Sequence, residues 1–129
     1  VILGNLHTDP SAVGASAVVS LCRVGCDDFA TVAAGDRVSV WLVDQPGANT
    51  QPHFVVDQAA RMVLELRREG RVVLLHCVAG QSRTPAVAAR YTTLTTGGPA
   101  RTALADLREL LDTHGWTLNQ ELRQVVEEL

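Results

Sequence analysis

The sequence predicts an α/β layer fold: a single domain with a central, mainly parallel sheet of four to five strands flanked by helices. Three observations carry this. Short runs of β-forming apolar residues are interleaved with stretches whose apolar residues recur every three or four positions, the mixture that layered α/β domains require. One run, Val72 to Leu75, is apolar throughout, as a central strand covered on both faces should be. The C-terminal half is patterned almost entirely for helix. With 129 residues, 47% of them apolar, and no repeat or low-complexity run, one compact core is expected.

The elements follow in order. Val1-Ile2-Leu3, ahead of Gly4-Asn5, reads as an opening strand and Ala17 to Leu21 as a second, each bounded by turn formers. Arg37 to Val43 is the third, since Val and Trp favour a pleated surface, and it stops at Asp44-Gln45-Pro46-Gly47-Ala48-Asn49, a clear loop signal. After Pro52 the period changes: Val55, Ala59, Met62, Val63 and Leu66 draw one face of an amphipathic helix that reaches Gly70. Arg71 to His76 is the fourth strand. A helix then opens between Ser82 and Pro85, where proline suits the first turn, and runs to the neighbourhood of Leu94 before Gly97-Gly98 ends it. Two more follow, one with Leu104, Leu107 and Leu111 inward, the other from Thr117, whose spacing to Gln120 is that of a capping box. Trp41 and Trp116 read as packing residues; His7, His53 and His114 read as surface or capping residues.

Composition narrows the function classes. A net charge of −3 argues against a broad basic footprint for nucleic acid or an anionic membrane. The apolar runs are too short to span a bilayer, and the N-terminus lacks a basic region followed by a small-residue cleavage site, so a soluble, cytoplasmic protein is expected. All 11 basic residues are arginine, which with the abundance of Ala, Val and Gly suggests a GC-rich bacterial source. The absent initiator Met suggests a trimmed chain or a domain of a longer one. Cys22, Cys26 and Cys77 are an odd number for a disulfide framework and favour a reducing compartment. Cys22-x3-Cys26 with His7 or His76 is a weak zinc pattern, lacking a second ligand pair at a recognisable spacing.

The chemistry concentrates in VVLLHCVAGQSRTPAV, residues 72–87. A strand ending at His76 and a helix starting near Arg83 leave Cys77 to Ser82 as the connecting loop, at the carboxyl end of a sheet strand, where open α/β sheets bind ligands. The amides of Val78, Ala79, Gly80, Gln81 and Ser82 can turn inward ahead of a helix N-terminus to make an anion cradle, which Ala79 and Gly80 keep sterically open. Arg83 can grip two oxygens of the same anion through its planar fork. The same field favours a thiolate at Cys77, the form that attacks. Nucleophile, cradle and clamp thus come from one segment: Cys, five residues, Arg.

HCVAGQSRTP resembles the His-Cys-x5-Arg-Ser/Thr signature of the cysteine-dependent protein tyrosine phosphatases, and in particular their small dual-specificity branch. VILGNLHTDP, GASAVVSLC, LVDQP and PHFVVDQAARMVLELRREG stand in that family's order, so the likeness runs from Val1 to about Leu111. The resemblance implies one catalytic domain over residues 1–129 that hydrolyses phosphomonoesters through a phosphocysteine, without metal or organic cofactor. It implies that Cys77 takes the phosphoryl group, Arg83 binds it, Thr84 assists breakdown of the phosphocysteine and His76 helps set the cysteine environment. The implied partner is a phosphorylated protein, phosphotyrosine first, with phosphoserine and phosphothreonine admitted by a shallow pocket. No nucleic acid or membrane is expected; attachment to a further domain is.

Such a reaction also needs a general acid near the leaving oxygen. Asp44 is the candidate: it ends the third strand, opens a Pro/Gly/Asn loop able to close over the site, and stands 33 residues before the nucleophile (77 − 44), a separation this branch uses. Asp57 is the lesser candidate because it falls inside the amphipathic helix. Cys22, at the end of a strand, is a candidate resolving thiol for an oxidised Cys77. Competing readings are an inert core cysteine, a phosphate-binding module without turnover, and a sulfur-transferase or arsenate reductase; none of these explains Cys77, Arg83, Thr84 and Asp44 together as well as a phosphatase does. A non-protein phosphoester substrate stays the alternative, with no lysine or extra arginine between Val78 and Ser82 to favour a multiply phosphorylated one.

Overall fold

The apolar run ahead of His76 forms the strand around which the other elements are arranged. The structure, a computed structural model, describes residues 1–25, 27–111 and 118–129. Its strands are β1 (Ile2–Gly4), β2 (Ala17–Ser20), β3 (Arg37–Ser39) and β4 (Val73–His76); its helices are α1 (Pro52–Arg68), α2 (Arg83–Thr96), α3 (Ala100–Leu111) and α4 (Gln120–Glu128). The sheet order is β1-β4-β2-β3 and every pairing is parallel. β4 is therefore interior, with all four residues buried, which is why its sequence has no polar alternation before His76.

Strand alternation divides the core. Ala17, Val19, Leu21, Val73 and Leu75 point to one face and join buried side chains from all four helices, among them Val63, Val87, Leu107 and Leu122. Val18 and Leu74 point to the other, where Val32, Ile2, Ala15 and Phe29 from loops and the strand edge cover them. The helices thus lie on one face of the sheet and connecting segments close the other.

Three expectations shift. β3 ends at Ser39, short of Val43, although Val40 N–H still donates to Ser20 O at 2.8 Å and Leu42 N–H to Leu21 O at 3.3 Å. Leu42 turns inward and is buried, so its neighbours Trp41 and Val43 turn outward. Trp41, expected to pack, is 61% exposed and instead carries the Arg23 guanidinium 4.5 Å from its ring centroid. On α1 the fully buried residues are Val56, Ala59, Ala60 and Val63, with Val55 and Leu66 half-buried against the same core as expected, and only Met62 of the expected face lies outside.

Helix ends follow their local chemistry. Gly70 and Gly97, at φ 80° and 71°, adopt the left-handed conformation that closes α1 and α2. α4 begins later than the Thr117–Gln120 pattern suggested, because Asn119 is its cap: Oδ1 accepts from the amides of Glu121 and Leu122. Thr117, His114, Trp116 and Cys26 lie outside the described residues. His7 and His53 are exposed, and His53 reaches Glu128 at 3.5 Å. Among the described residues no helix is long and apolar enough to cross a membrane.

Candidate active site

The carboxyl end of β4 delivers Cys77 to the floor of a loop, residues 77–82, that leads directly into α2. Cys77 is 2% exposed, and its Sγ accepts a hydrogen bond from Gly80 N–H at 3.2 Å. That approach needs glycine twice over. Gly80 has φ +74°, and a Cβ there would stand 2.7 Å from the carbonyl oxygen of Gly4 at the end of β1. The loop is pinned to the same wall by Leu6 N–H, which donates to Val78 O at 3.2 Å.

Among the described residues the amides of Val78, Ala79, Gln81 and Ser82 have no protein acceptor. Val78, Ala79 and Gln81 are exposed, whereas Ser82 is buried with its hydroxyl committed elsewhere. Arg83, the first residue of α2, is held on one side only: Nη1 donates to Leu42 O at 3.0 Å and to Leu21 O at 3.5 Å. Its Nε is buried without a partner among the described residues, leaving the Nε–Nη2 edge of the fork uncommitted. A buried unpaired donor costs about 1–3 kcal/mol unless an acceptor arrives, and an anion in the loop would be that acceptor. Thr84, also fully buried, keeps its Oγ1 unpartnered among the described residues.

His76, next to Cys77, is held in a fixed tautomer. Nδ1 meets the Cys77 carbonyl at 3.2 Å, and a carbonyl can only accept, so Nδ1 carries the proton. Nε2 therefore accepts from Ser20 Oγ–H at 2.6 Å, across the β2–β4 register that sets Ser20 against His76. The Phe29 ring tilts against the imidazole with 4.5 Å between centroids. Burial holds the imidazole below its ordinary value of 6.5, outweighing the pull of the Cys77 carbonyl in the other direction, so the ring is neutral.

Asp44 comes to the opposite lip of the loop. Ser82 Oγ–H donates to its Oδ1 at 2.8 Å and Asn119 Nδ2 donates to the same oxygen at 3.3 Å. The loop that carries Asp44 is braced internally by Asn49, whose amide exchanges 2.8 Å hydrogen bonds with both backbone groups of Val43. Asp57 is elsewhere engaged. Burial pushes its carboxyl up, but hydrogen bonds from Arg61 and Arg90 outweigh this and hold it below the usual carboxylate range. An ionised, doubly paired Asp57 has no proton to give.

Cys22 is buried just beyond β2, where Leu21 N–H donates to His76 O at 2.9 Å, so residues 22 and 77 continue from that bond on neighbouring chains. Burial raises the Cys22 thiol above its ordinary value despite the nearby Arg83 charge. Among the described residues no three His, Cys, Asp or Glu side chains cluster as a metal site. Sequence patterns had missed Ser20 and Asn119. A serine closing an otherwise apolar strand was a faint signal for the first, and no local signal marked the second.

No protein-family model matches the sequence, and no curated protein sequence matches it. Solved structures do. Human DUSP28 superposes with a TM-score of 0.80 at 16% identity, over 98% of this chain and 88% of that one. Tk-PTP in its active form gives 0.71 at 21% identity, over 93% and 80%. PTPMT1 in complex with PI(5)P gives 0.72 at 15%, over 92% and 78%. With its parallel sheet, its helices on one face and its strand-loop-helix at Cys77, this chain has the fold of the cysteine-dependent protein tyrosine and dual-specificity phosphatases.

Proposed function

We propose that this chain is a phosphomonoester hydrolase of the protein tyrosine and dual-specificity class, acting through a phosphocysteine. The observation that carries it is the half-committed fork of Arg83: anchored by Nη1 to two carbonyls, with a buried Nε unpaired among the described residues, beside a loop that begins at Cys77 and whose Val78, Ala79, Gln81 and Ser82 amides lack acceptors among the described residues.

In the first step the Cys77 thiolate forms a bond to phosphorus as the bond to the leaving oxygen breaks. Asp44 gives that oxygen its proton, and Arg83 with the loop amides holds the three equatorial oxygens. In the second, Asp44, now a carboxylate, takes a proton from water as the water oxygen attacks phosphorus. The S–P bond breaks, the sulfur recovers its electron pair with help from the Thr84 hydroxyl, and inorganic phosphate leaves. The chain's own side chains supply the nucleophile, charge stabilisation and acid, so no metal or organic cofactor is assigned a role. Buried free thiols fit a reducing compartment such as the cytoplasm.

A phosphorylated protein is the favoured substrate. The loop interior from Val78 to Ser82 carries no charged side chain to meet a second phosphate, and the exposed apolar side chains of Val78, in that loop, and Val43, next to Asp44, suit a peptide. A non-protein phosphoester is the second reading, on the strength of the neighbour solved with PI(5)P. The test is hydrolysis of p-nitrophenyl phosphate with EDTA and a reductant present. The parent should turn over, Cys77→Ser should be silent, and Asp44→Asn should fall by ~10²–10⁴. A folded parent that binds vanadate yet hydrolyses neither this ester nor phosphopeptides would be a phosphate-binding module instead.

A further inference from the structure

Asn119 joins three parts of the site. It is 8% exposed and caps α4, Oδ1 accepting from Glu121 N–H at 2.9 Å and Leu122 N–H at 3.4 Å. Those two donors fix the orientation of its amide, so Nδ2 is the atom that faces Asp44 Oδ1 at 3.3 Å. Its backbone N–H donates to Ser82 Oγ at 2.9 Å. The Ser82 hydroxyl, accepting there, directs its own proton to the same Asp44 Oδ1 at 2.8 Å. The next turn adds a second tie, since Glu121 Oε2 accepts from Gly47 N–H in the acid loop at 3.2 Å.

We propose that Asn119 is a positioning residue for the general acid, holding Asp44 by Oδ1 directly and through Ser82 so that Oδ2 carries the transferred proton. A carboxylic acid has one O–H, and an oxygen that already accepts from an amide and a hydroxyl is the poorer place for it. The proton therefore sits on Oδ2, leaves from it to the departing oxygen, and returns to it from water. The inference rests on the phosphatase reading and adds to it that the C-terminal helix is part of the acid's geometry.

The test separates acid positioning from a structural role. Asn119→Ser keeps a capping hydroxyl of similar worth but loses the amide donor. Its kcat/KM is compared with the parent's for phenyl phosphate, whose leaving oxygen needs a proton, and for 2,4-dinitrophenyl phosphate, whose leaving oxygen needs little. The expected result is a fall of ~10–10² for the phenyl ester and of less than about 3-fold for the dinitrophenyl ester, with no further fall when the change is made in an Asp44→Asn background. Equal losses on both esters, or an undiminished loss without Asp44, would overturn the inference while leaving the phosphatase reading intact. If Asn119→Ser does not fold, Asn119→Asp, which keeps cap and reach but replaces the donor by an acceptor, must give the same selective loss. A parent inactive on both esters defeats the phosphatase reading itself, and the inference with it.

Discussion

Replacing Gly80 by alanine tests how closely the loop 77–82 is fitted to β1. The backbone at Gly80 lies at φ +74°, where a side chain costs about 1–2 kcal/mol. The new Cβ would also stand 2.7 Å from Gly4 O, a backbone atom held in the β1–β4 ladder and unable to swing away, and relieving such overpacking costs about 1–3 kcal/mol more. The total expected loss is about 2–5 kcal/mol. Gly14→Ala is the control, because Gly14 has nearly the same φ, +71°, with nothing within 4 Å of its Cβ, so it isolates the conformational part. Urea unfolding followed by far-UV circular dichroism should show Gly80→Ala less stable than Gly14→Ala by about 1–3 kcal/mol. Because any shift of the loop draws Gly80 N–H away from the Cys77 sulfur, turnover of p-nitrophenyl phosphate should fall by ~10–10² in Gly80→Ala and stay at the parent's level in Gly14→Ala. Equal stabilities for the two variants, or a fully active Gly80→Ala, would refute the close fit of loop to strand.

Other expectations follow from the same geometry. His76 is buried neutral while the unfolded chain protonates it, so its contribution is fully present above pH 6.5 and is lost as pH falls toward its depressed folded value, by up to about 1.4 kcal/mol per pH unit. The urea midpoint of the parent should decline between pH 6.5 and 5, and His76→Asn should flatten that decline; an unchanged slope would count against a buried neutral ring. One equivalent of peroxide should convert Cys77 to a sulfenic acid that Cys22 captures, forming a disulfide and releasing water, reversibly with dithiothreitol. Since burial raises the Cys22 thiol, capture should quicken about tenfold per pH unit between pH 7 and 8.5, and a sulfinic Cys77 without disulfide would speak against the pairing. Asp57→Asn should leave turnover intact and cost about 1–2 kcal/mol of stability by freeing Arg90, and a loss of activity at unchanged stability would return Asp57 to the site.

What the sequence disclosed was local. The apolar run before His76, the Cys-x5-Arg spacing and the Pro/Gly loop after Val43 each announce an element through a few adjacent residues, and β4, the loop 77–82 and the loop after Val43 all stand where those residues put them. What it did not disclose depends on contacts between distant segments. Trp41 faces solvent because its neighbour Leu42 turns inward beside Leu21, which its β propensity could not reveal. On α1 the core widens to take in Val56 and Ala60 and leaves out Met62, because four helices converge on one side of the sheet. Ser20 and Asn119 reach His76 and Asp44 across 56 and 75 positions, and nothing in their own surroundings signals those partners, although Asn119 also caps α4 locally.

The tie between α4 and the acid loop bears on when a newly made chain could first act. Cys77 and Arg83 emerge from the ribosome well before Asn119, with 36 residues still to be added after Arg83 (119 − 83). At about 5–20 residues per second that is roughly 2–7 s. During that interval a nascent chain can already hold Cys77 and Arg83 while the loop at Asp44 lacks its ties to Asn119 and Glu121. If the proposed function holds, synthesis of α4 is then the step that completes the site, a delay written into the order of translation.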